Sequence, residues 1–436
     1  MHRVKEHDII NTVNDFMVFC NYLDEKKPVL SKKRAMLGKN DLFVINSLLS
    51  HKREVSAPNY QQESYPIINL VFNLVLLGKL YVRKADDKGN IYLNRTVRKN
   101  EFDNLNIYEK YAFLFETFWI RYDLEEVMRW GLINNIIDQT VQIIANSNPG
   151  QKLEKGSFSQ RVDYDPIFSY SSVIIQYFDY FGFCRYIPII VEGKKKNKYD
   201  DSIKTIIPTK LGVNICKILT EQKIEYWNIP WLKELGMNEK DIVPDVAHQF
   251  QFTMFPLFTD NKNMANLDKL YDETKQNGFI PLYKLIKPIF PEGVLNNTIR
   301  TSISNIVKGS YIFKVSLGKG IWRKIKLSFK HTLEDLHDSI QKAFDFDDDH
   351  LYSFFMDGKR YSRHAFHSPM CNQGPYVNES IIGELELFIK QKFLYFFDYG
   401  DSWEFEVQLL EIDEDEIPPR KPQIIETKGE APAQYW

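Results

Sequence analysis

Residues 311–358 read YIFKVSLGKGIWRKIKLSFKHTLEDLHDSIQKAFDFDDDHLYSFFMDG, and this stretch decides the fold of the C-terminal part. Tyr311, Phe313, Val315 and Leu317 alternate with Ile312 and Lys314, the period of a half-buried strand. Gly318-Lys319-Gly320 supplies a turn, and IWRKIKLSF is the partner strand, with Ile321, Arg323, Ile325 and Leu327 in line and Trp322 in line with Lys324. Thr332 followed by Asp335 three residues on predicts a helix N-cap. The helix runs to about Phe344 and shows Leu333, Leu336, Ile340, Ala343 and Phe344 on one face. LYSFFM (351–356) is a third strand, and Asp357-Gly358 is a hairpin turn.

Working outward, a loop spans 361–380, a short helix is expected near 381–388, and FLYFFDYGDSWEFEVQLLEI (393–412) makes a final hairpin. Trp403, Phe405, Val407 and Leu409 share one face of its second strand. Two strands, a helix and further strands predict a β-grasp-like sheet-plus-helix domain over 309–412. The tail, 413–436, is Pro-rich and is expected to lie extended over the domain or a partner.

Upstream, the fold class is α+β, with a mainly helical N-terminal part. Leu42, Ile45, Leu48 and Leu49 have helical spacing. A helix is expected from Pro66, at its first turn, to Leu77, with Gly78 just beyond. Strands follow at 79–84 and 91–96. The same order recurs later: a helix at 171–181 with Gly182, a strand at 183–191 in which Pro188 marks an edge or bulge, a charged loop, a returning strand IKTIIP, and a helix at 209–219. This order predicts winged-helix-like units at 1–145 and 146–230; a helical domain with two incidental hairpins is the other reading. Residues 231–308 read as a helical connector, since they are neither Gly/Ser-rich nor strongly charged.

The chain has 436 residues and a formal net charge of −2, so it carries no overall bias toward nucleic acid or membranes. The aromatic share of 14% favours packed, strand-containing modules over disorder. Cys20, Cys184, Cys216 and Cys371 form no C-x-x-C pair, which argues against a zinc ribbon or disulfide scaffold. The longest apolar run, 67–77, is too short to cross a bilayer, and the first residues lack a signal-peptide core. The expected setting is the cytoplasm.

YIFKVSL, IWRKI, TLEDLHDSIQKAF, DDDHLYSFFMDG and FDYGDSWEFEV resemble the plasmid pRiA4b ORF-3-like family, over residues 309–436. KGEAPAQYW at the end is similar to the tail of some members. The resemblance implies a small α+β domain in a bacterial or mobile-element setting, where members are often labelled TnpR-like passengers of insertion elements. It implies no defined reaction. Two positions depart from the family motif: Phe405 stands where a His is usual, and Phe397 where a Tyr is usual. No metal or acid–base role resting on that His is therefore carried over.

Several residues invite a chemical reading. His337 and Gln341 are one turn apart, and His337 lies close to the apolar helix face, as a ligand, a general base or a hydrogen-bonded core residue. His350 follows Asp347, Asp348 and Asp349, but consecutive Asp side chains diverge and a hard-metal site needs converging oxygens. Asp398 and Asp401 either hold a cation or cap a turn. Arg323 could pair with those two carboxylates, and Trp403 belongs to the same family motif. Lys194, Lys195, Lys196 and Lys198 lie on the second wing, where a basic loop tracks phosphates or is simply solvated. Lys32, Lys33 and Arg34 form a weaker basic candidate.

No nucleophile elbow, phosphate-binding loop, dinucleotide-binding glycine pattern or H-E-x-x-H is present. The leading expectation is a non-enzymatic interaction protein. It would bind DNA or RNA through the winged-helix-like units, and a partner protein through the C-terminal domain, with no cofactor or metal. One alternative is a metal-dependent hydrolase or nuclease using His337, His350, Asp398 and Asp401; another is a structural or oligomerisation role.

Overall fold

A computed structural model describes residues 3–124, 133–154, 168, 172–189, 203–221, 228–234, 282–299, 306–318 and 320–434. The first helix, α1 (Glu6–Lys26), buries Ile9, Val13, Phe16, Phe19, Cys20 and Leu23 at helical spacing. Then come α2 (Lys39–Leu48) and α3 (Pro66–Leu77), whose proline sits in the first turn. β1 (Tyr81–Ala85) and β2 (Ile91–Arg95) form an antiparallel hairpin. α4 (Val97–Asp103) and α5 (Ile107–Arg121) follow, and Asn106 and Glu109 close a capping box at the start of α5.

α6 (Ile133–Asn146) leads to the short β3 (Leu153–Glu154). Next are α7 (Ser172–Tyr180), β4 (Cys184–Pro188), β5 (Ile203–Pro208) and α8 (Lys210–Glu221). The strands pair in the order β3-β5-β4, and the register shifts between Ile187 and Pro188, the bulge expected at that proline. Gly182 ends α7 at φ +76°, a conformation costly for any residue with a Cβ. α9 (Ile229–Glu234) and α10 (Leu282–Ile286) are the described helices of the next stretch. The rest of the expected connector lies outside the described residues.

One continuous buried cluster runs through these elements from Val4 to Ile299. Its centre is aromatic: Phe118 of α5 stacks on Phe181 at 4.9 Å, and Phe115 meets Phe183 at 5.4 Å. α3 packs directly on α7. Six of the nine residues of α7 are buried, including Ile174, Ile175, Tyr177 and Phe178, so little of its surface is left for solvent.

The C-terminal part has its own core. β6 (Ser310–Ser316), β7 (Trp322–Ser328), α11 (Leu333–Phe344), β8 (Tyr352–Phe355), β9 (Ala365–His367), β10 (Lys392–Phe397), β11 (Trp403–Asp413) and β12 (Gln423–Lys428) occur in that order. They build a seven-stranded sheet ordered β12-β7-β6-β11-β10-β8-β9, antiparallel at every pairing between these strands. The mixed α+β class expected from the sequence is thus present, with helices upstream and a large sheet downstream. α11 covers one face. Leu333, Leu336, Ile340 and Phe344 are buried there, each contributing roughly 1.5–3 kcal/mol. Phe405 joins this core, 5.0 Å from Phe344 and 5.4 Å from Tyr395.

Two expectations change in detail. The short helix near 381–388 is a single 3-10 turn over Ile382–Glu384. The tail, expected to be extended, contributes β12 to the sheet, and Gln434 is buried with its amide bonded to the backbone of Asp347. Between the two cores, Lys79 pairs with Glu386 at 3.0 Å and Arg363 with Asp123 at 3.7 Å. No described helix is long and apolar enough to cross a membrane.

Candidate functional site

The polar centre of the C-terminal domain is built on α11. Thr332 and Asp335 form the capping box expected from the sequence and fix where the helix starts. That start sets the rotation of α11, which turns Leu336 and Ile340 into the core and carries His337 and Gln341 to the buried edge of the same face.

His337 is 1% exposed, and both its ring nitrogens are engaged: Nδ1 lies 2.6 Å from the Tyr395 hydroxyl and Nε2 2.8 Å from Oδ1 of Asp348. Burial pushes the imidazole pKa down, against the upward pull of Asp348, so the ring is neutral near pH 7. A neutral ring has one N–H, and a carboxylate can only accept. The direction of the bonds follows: Gln341 Nε2 donates to Tyr395 Oη at 2.7 Å, the Tyr395 O–H donates to Nδ1, and Nε2–H donates to Asp348. Tyr352 lies flat against the imidazole. The chain of bonds runs from a fully buried tyrosine to an exposed carboxylate.

Around that carboxylate the charge is one-sided. Glu334 and Asp338 sit on α11 four residues apart, a repulsive spacing for like charges. Burial raises the pKa of each, and the neighbouring acids Asp335, Asp338 and Asp348 add to it for Glu334, as Asp348 and Asp335 do for Asp338. One oxygen from each of Asp338 and Asp348 and a ring nitrogen of His337 lie within 4.8 Å of one another.

A second polar group lies on the opposite face of β8. Ser353 Oγ is 2.8 Å from His367 Nδ1 and 2.7 Å from the Tyr399 hydroxyl. Burial lowers the His367 pKa. Ser353 is fully buried, so a substrate cannot reach its oxygen, and the arrangement satisfies buried polar groups rather than activating a nucleophile.

The other sequence candidates fall apart from His337. His350 Nε2 is 3.4 Å from Oδ2 of Asp398. Asp398 is buried at φ +54°, and its Oδ1 accepts from the backbone N–H groups of Gly400 and Asp401, which is turn chemistry. Asp401 is exposed. The set His337, His350, Asp398 and Asp401 is therefore not drawn to one point; among the described residues the group of metal-type ligands that converges is His337, Asp338 and Asp348.

Arg323 does not pair with Asp398 or Asp401 as supposed. Its guanidinium donates to the carbonyls of Ala343, Lys428 and Gly429 and lies over the Phe344 ring at 4.5 Å. It joins the C-terminus of α11 to the tail, where a cation suits the helix dipole. Trp403 packs on Phe346 at 4.9 Å. Lys194, Lys195, Lys196 and Lys198 lie outside the described residues. Lys32 and Lys33 are exposed, while Arg34 pairs with Glu63 at 2.6 Å.

Tyr395, Tyr352 and Asp338 were not singled out from the sequence. Asp338 carries a readable signal, since it follows His337 directly and stands four residues from the like-charged Glu334. Tyr395 carries none, because its partner on α11 is more than fifty residues away and only the sheet register brings them together.

Residues 310–434 match the model of the plasmid pRiA4b ORF-3-like protein family, which bears out the resemblance drawn from the motifs of this domain. Among solved structures, the chain is similar to a protein of unknown function from Methanosarcina mazei Go1, MM3350, with 22% identity over 29% of this chain and 74% of that one and a TM-score of 0.26. No curated protein matches.

Proposed function

We propose that this is a non-enzymatic interaction protein of a bacterial or mobile-element setting, whose C-terminal domain captures an extended segment of a partner protein on the free edge of its sheet. The observation that carries this reading is β12. It is the terminal strand of the sheet, all six of its residues are exposed, and Ile424 and Ile425 are among them. An open edge with apolar side chains is a template for strand addition. Main-chain hydrogen bonds would supply affinity, and the side chains flanking the isoleucines would supply selectivity.

The test is a photoreactive amino acid placed at position 425 in the full chain, irradiated in cells. The reading expects a discrete heteromeric adduct that disappears when Thr427→Pro, introduced into the same probe-bearing chain, blocks strand pairing at this edge. An adduct at twice the chain mass supports oligomerisation instead. Absence of any adduct overturns the capture of a partner at this edge.

Nucleic-acid binding is the second reading, favoured by the β3-β5-β4 order next to α7, which suits a winged-helix-like unit. α3 and α7, the helices that precede the two hairpins, are largely buried and pack on each other. In this reading the contact to phosphates falls to the stretch of sequence between β4 and β5 that carries Lys194, Lys195, Lys196 and Lys198 rather than to a helix in a groove. A salt-dependent gel shift with those four lysines neutralised separates the two readings: unchanged binding, or none at low salt, ends this one.

A further inference from the structure

We propose that Nε2 of His337, with one carboxylate oxygen each from Asp338 and Asp348, binds a divalent metal ion of the zinc class. Three protein ligands of this kind, one imidazole and two carboxylates, suit Zn²⁺ and leave a fourth position for water. The three ligand atoms already lie within 4.8 Å of one another. In a tetrahedral site with bonds of about 2.0–2.2 Å, ligand atoms stand roughly 3.4 Å apart. His337 Nε2 and Asp348 Oδ1, now 2.8 Å apart, need to separate by about 0.6 Å to reach that spacing.

Charge favours the ion. Glu334, Asp338 and Asp348 influence one another, and among the described residues no Lys or Arg forms an ion pair with any of them. A cation would relieve this repulsion, and the buried imidazole gives it a fixed anchor where surface carboxylates alone would not.

The shell behind the histidine is also in place. A metal-bound imidazole needs its other nitrogen protonated and bonded to an acceptor. Binding moves the ring proton from Nε2 to Nδ1, which then donates to Tyr395 Oη, so the ring stays neutral. The Tyr395 O–H must then find a new acceptor. Gln341 Oε1 is buried without a partner in the present amide orientation, and a half-turn of the amide presents it to that O–H. Gln341 and Tyr395 can thus serve either tautomer of His337, with the metal or without it.

The test is calorimetric titration of the full chain with Zn²⁺ alone, repeated with Co²⁺ while following its visible absorption. Wild-type protein is expected to bind one ion per chain. Asp338→Asn and Asp348→Asn, at exposed positions that leave the fold intact, should each weaken binding by about tenfold or more, and Tyr395→Phe by about tenfold without touching a ligand. His337→Gln should abolish the site; if that variant does not fold, the two aspartate variants still decide. With 9 histidines in the chain, weak binding elsewhere is separated by these variants. No saturable binding in wild type, or affinity unchanged from wild type in the aspartate variants, overturns the proposal.

Discussion

The imidazole of His337 stacks on the ring of Tyr352 with centroids 3.5 Å apart and planes 6° from parallel. This stack sets the plane of the imidazole. With the plane fixed, Nδ1 meets the Tyr395 hydroxyl and Nε2 meets Asp348 at the same time. Such a pair adds about 0.5–1.5 kcal/mol beyond the area it buries. The position of Tyr352 on β8 and the capped start of α11 thus decide the chemistry of one ring.

Tyr395→Phe removes a hydroxyl that serves two partners. It leaves the Gln341 amide N–H and His337 Nδ1 buried with nothing to bond, and an unsatisfied buried group costs about 1–3 kcal/mol. The expected loss is about 2–4 kcal/mol in urea unfolding, more than a lone tyrosine hydroxyl contributes. A loss below about 0.5 kcal/mol would show that the three groups are not coupled.

Arg323→Ala should release the tail before it unfolds the domain. The guanidinium holds the carbonyls of Lys428 and Gly429 from one side and that of Ala343 from the other. Lysine lacks the planar fork, so Arg323→Lys should behave nearly as badly as alanine. Limited proteolysis reads this out: cleavage within 413–434 should accelerate by about tenfold or more, as expected for about 2 kcal/mol of lost anchoring. A tail equally protected in both variants counts against the anchor.

Much of this fold could be read from local signals. Thr332 and Asp335, Pro66, Gly182 and Pro188 each state a local backbone rule, and each is obeyed. α1 and α5 carry local signals of the same kind. Ile9, Val13, Phe16, Cys20 and Leu23 keep helical spacing, and Asn106 with Glu109 is a capping box. What the sequence hides is pairing across distance. Arg323 looked like a partner for carboxylates because charge suggests charge, yet it met carbonyls that α11 and the tail leave unpaired. Likewise the His337 site depends on Tyr395 and Tyr352, which only the β10-β8 register brings under α11. Phe405 was the exception: its alternation with Val407 and Leu409 placed it in the core, where it lies.

Gly212→Ala should be far more damaging than its helix propensity suggests. A Cβ at Gly212 would stand 1.8 Å from the carbonyl oxygen of Phe183, so α8 could not keep its close approach to the start of β4. Alanine is ordinarily favoured over glycine in a helix by about 1 kcal/mol. Here the expected change has the opposite sign and exceeds about 3 kcal/mol, in the range of severe overpacking. Gly150→Ala is the control: φ is +83°, but no atom lies within 4 Å of the added carbon, so only backbone strain of about 1 kcal/mol is expected. Thermal unfolding of both variants compares them directly.

Glu116 gives the molecule a pH dependence of predictable sign. It lies on α5, accepts the backbone N–H of Tyr283, and burial raises its carboxyl pKa from 4.5 to about 7 despite that bond and the nearby Arg121. Below pH 4.5 the group is protonated both folded and unfolded, and it costs nothing. Between 4.5 and about 7 the unfolded chain gives up the proton while the folded one keeps it, so stability falls as pH rises, and above about 7 the full cost is present. Glu116→Gln keeps an acceptor for Tyr283 and removes the charge. After allowance for partial solvent exposure, the variant should be more stable than wild type by about 1–2 kcal/mol at pH 8, with the gap closing toward pH 4.5. Urea midpoints taken across that range measure the difference. A gap that is constant with pH, or that widens toward acid, would show that Glu116 is ionised in the folded protein and that the α5–α10 contact tolerates its charge.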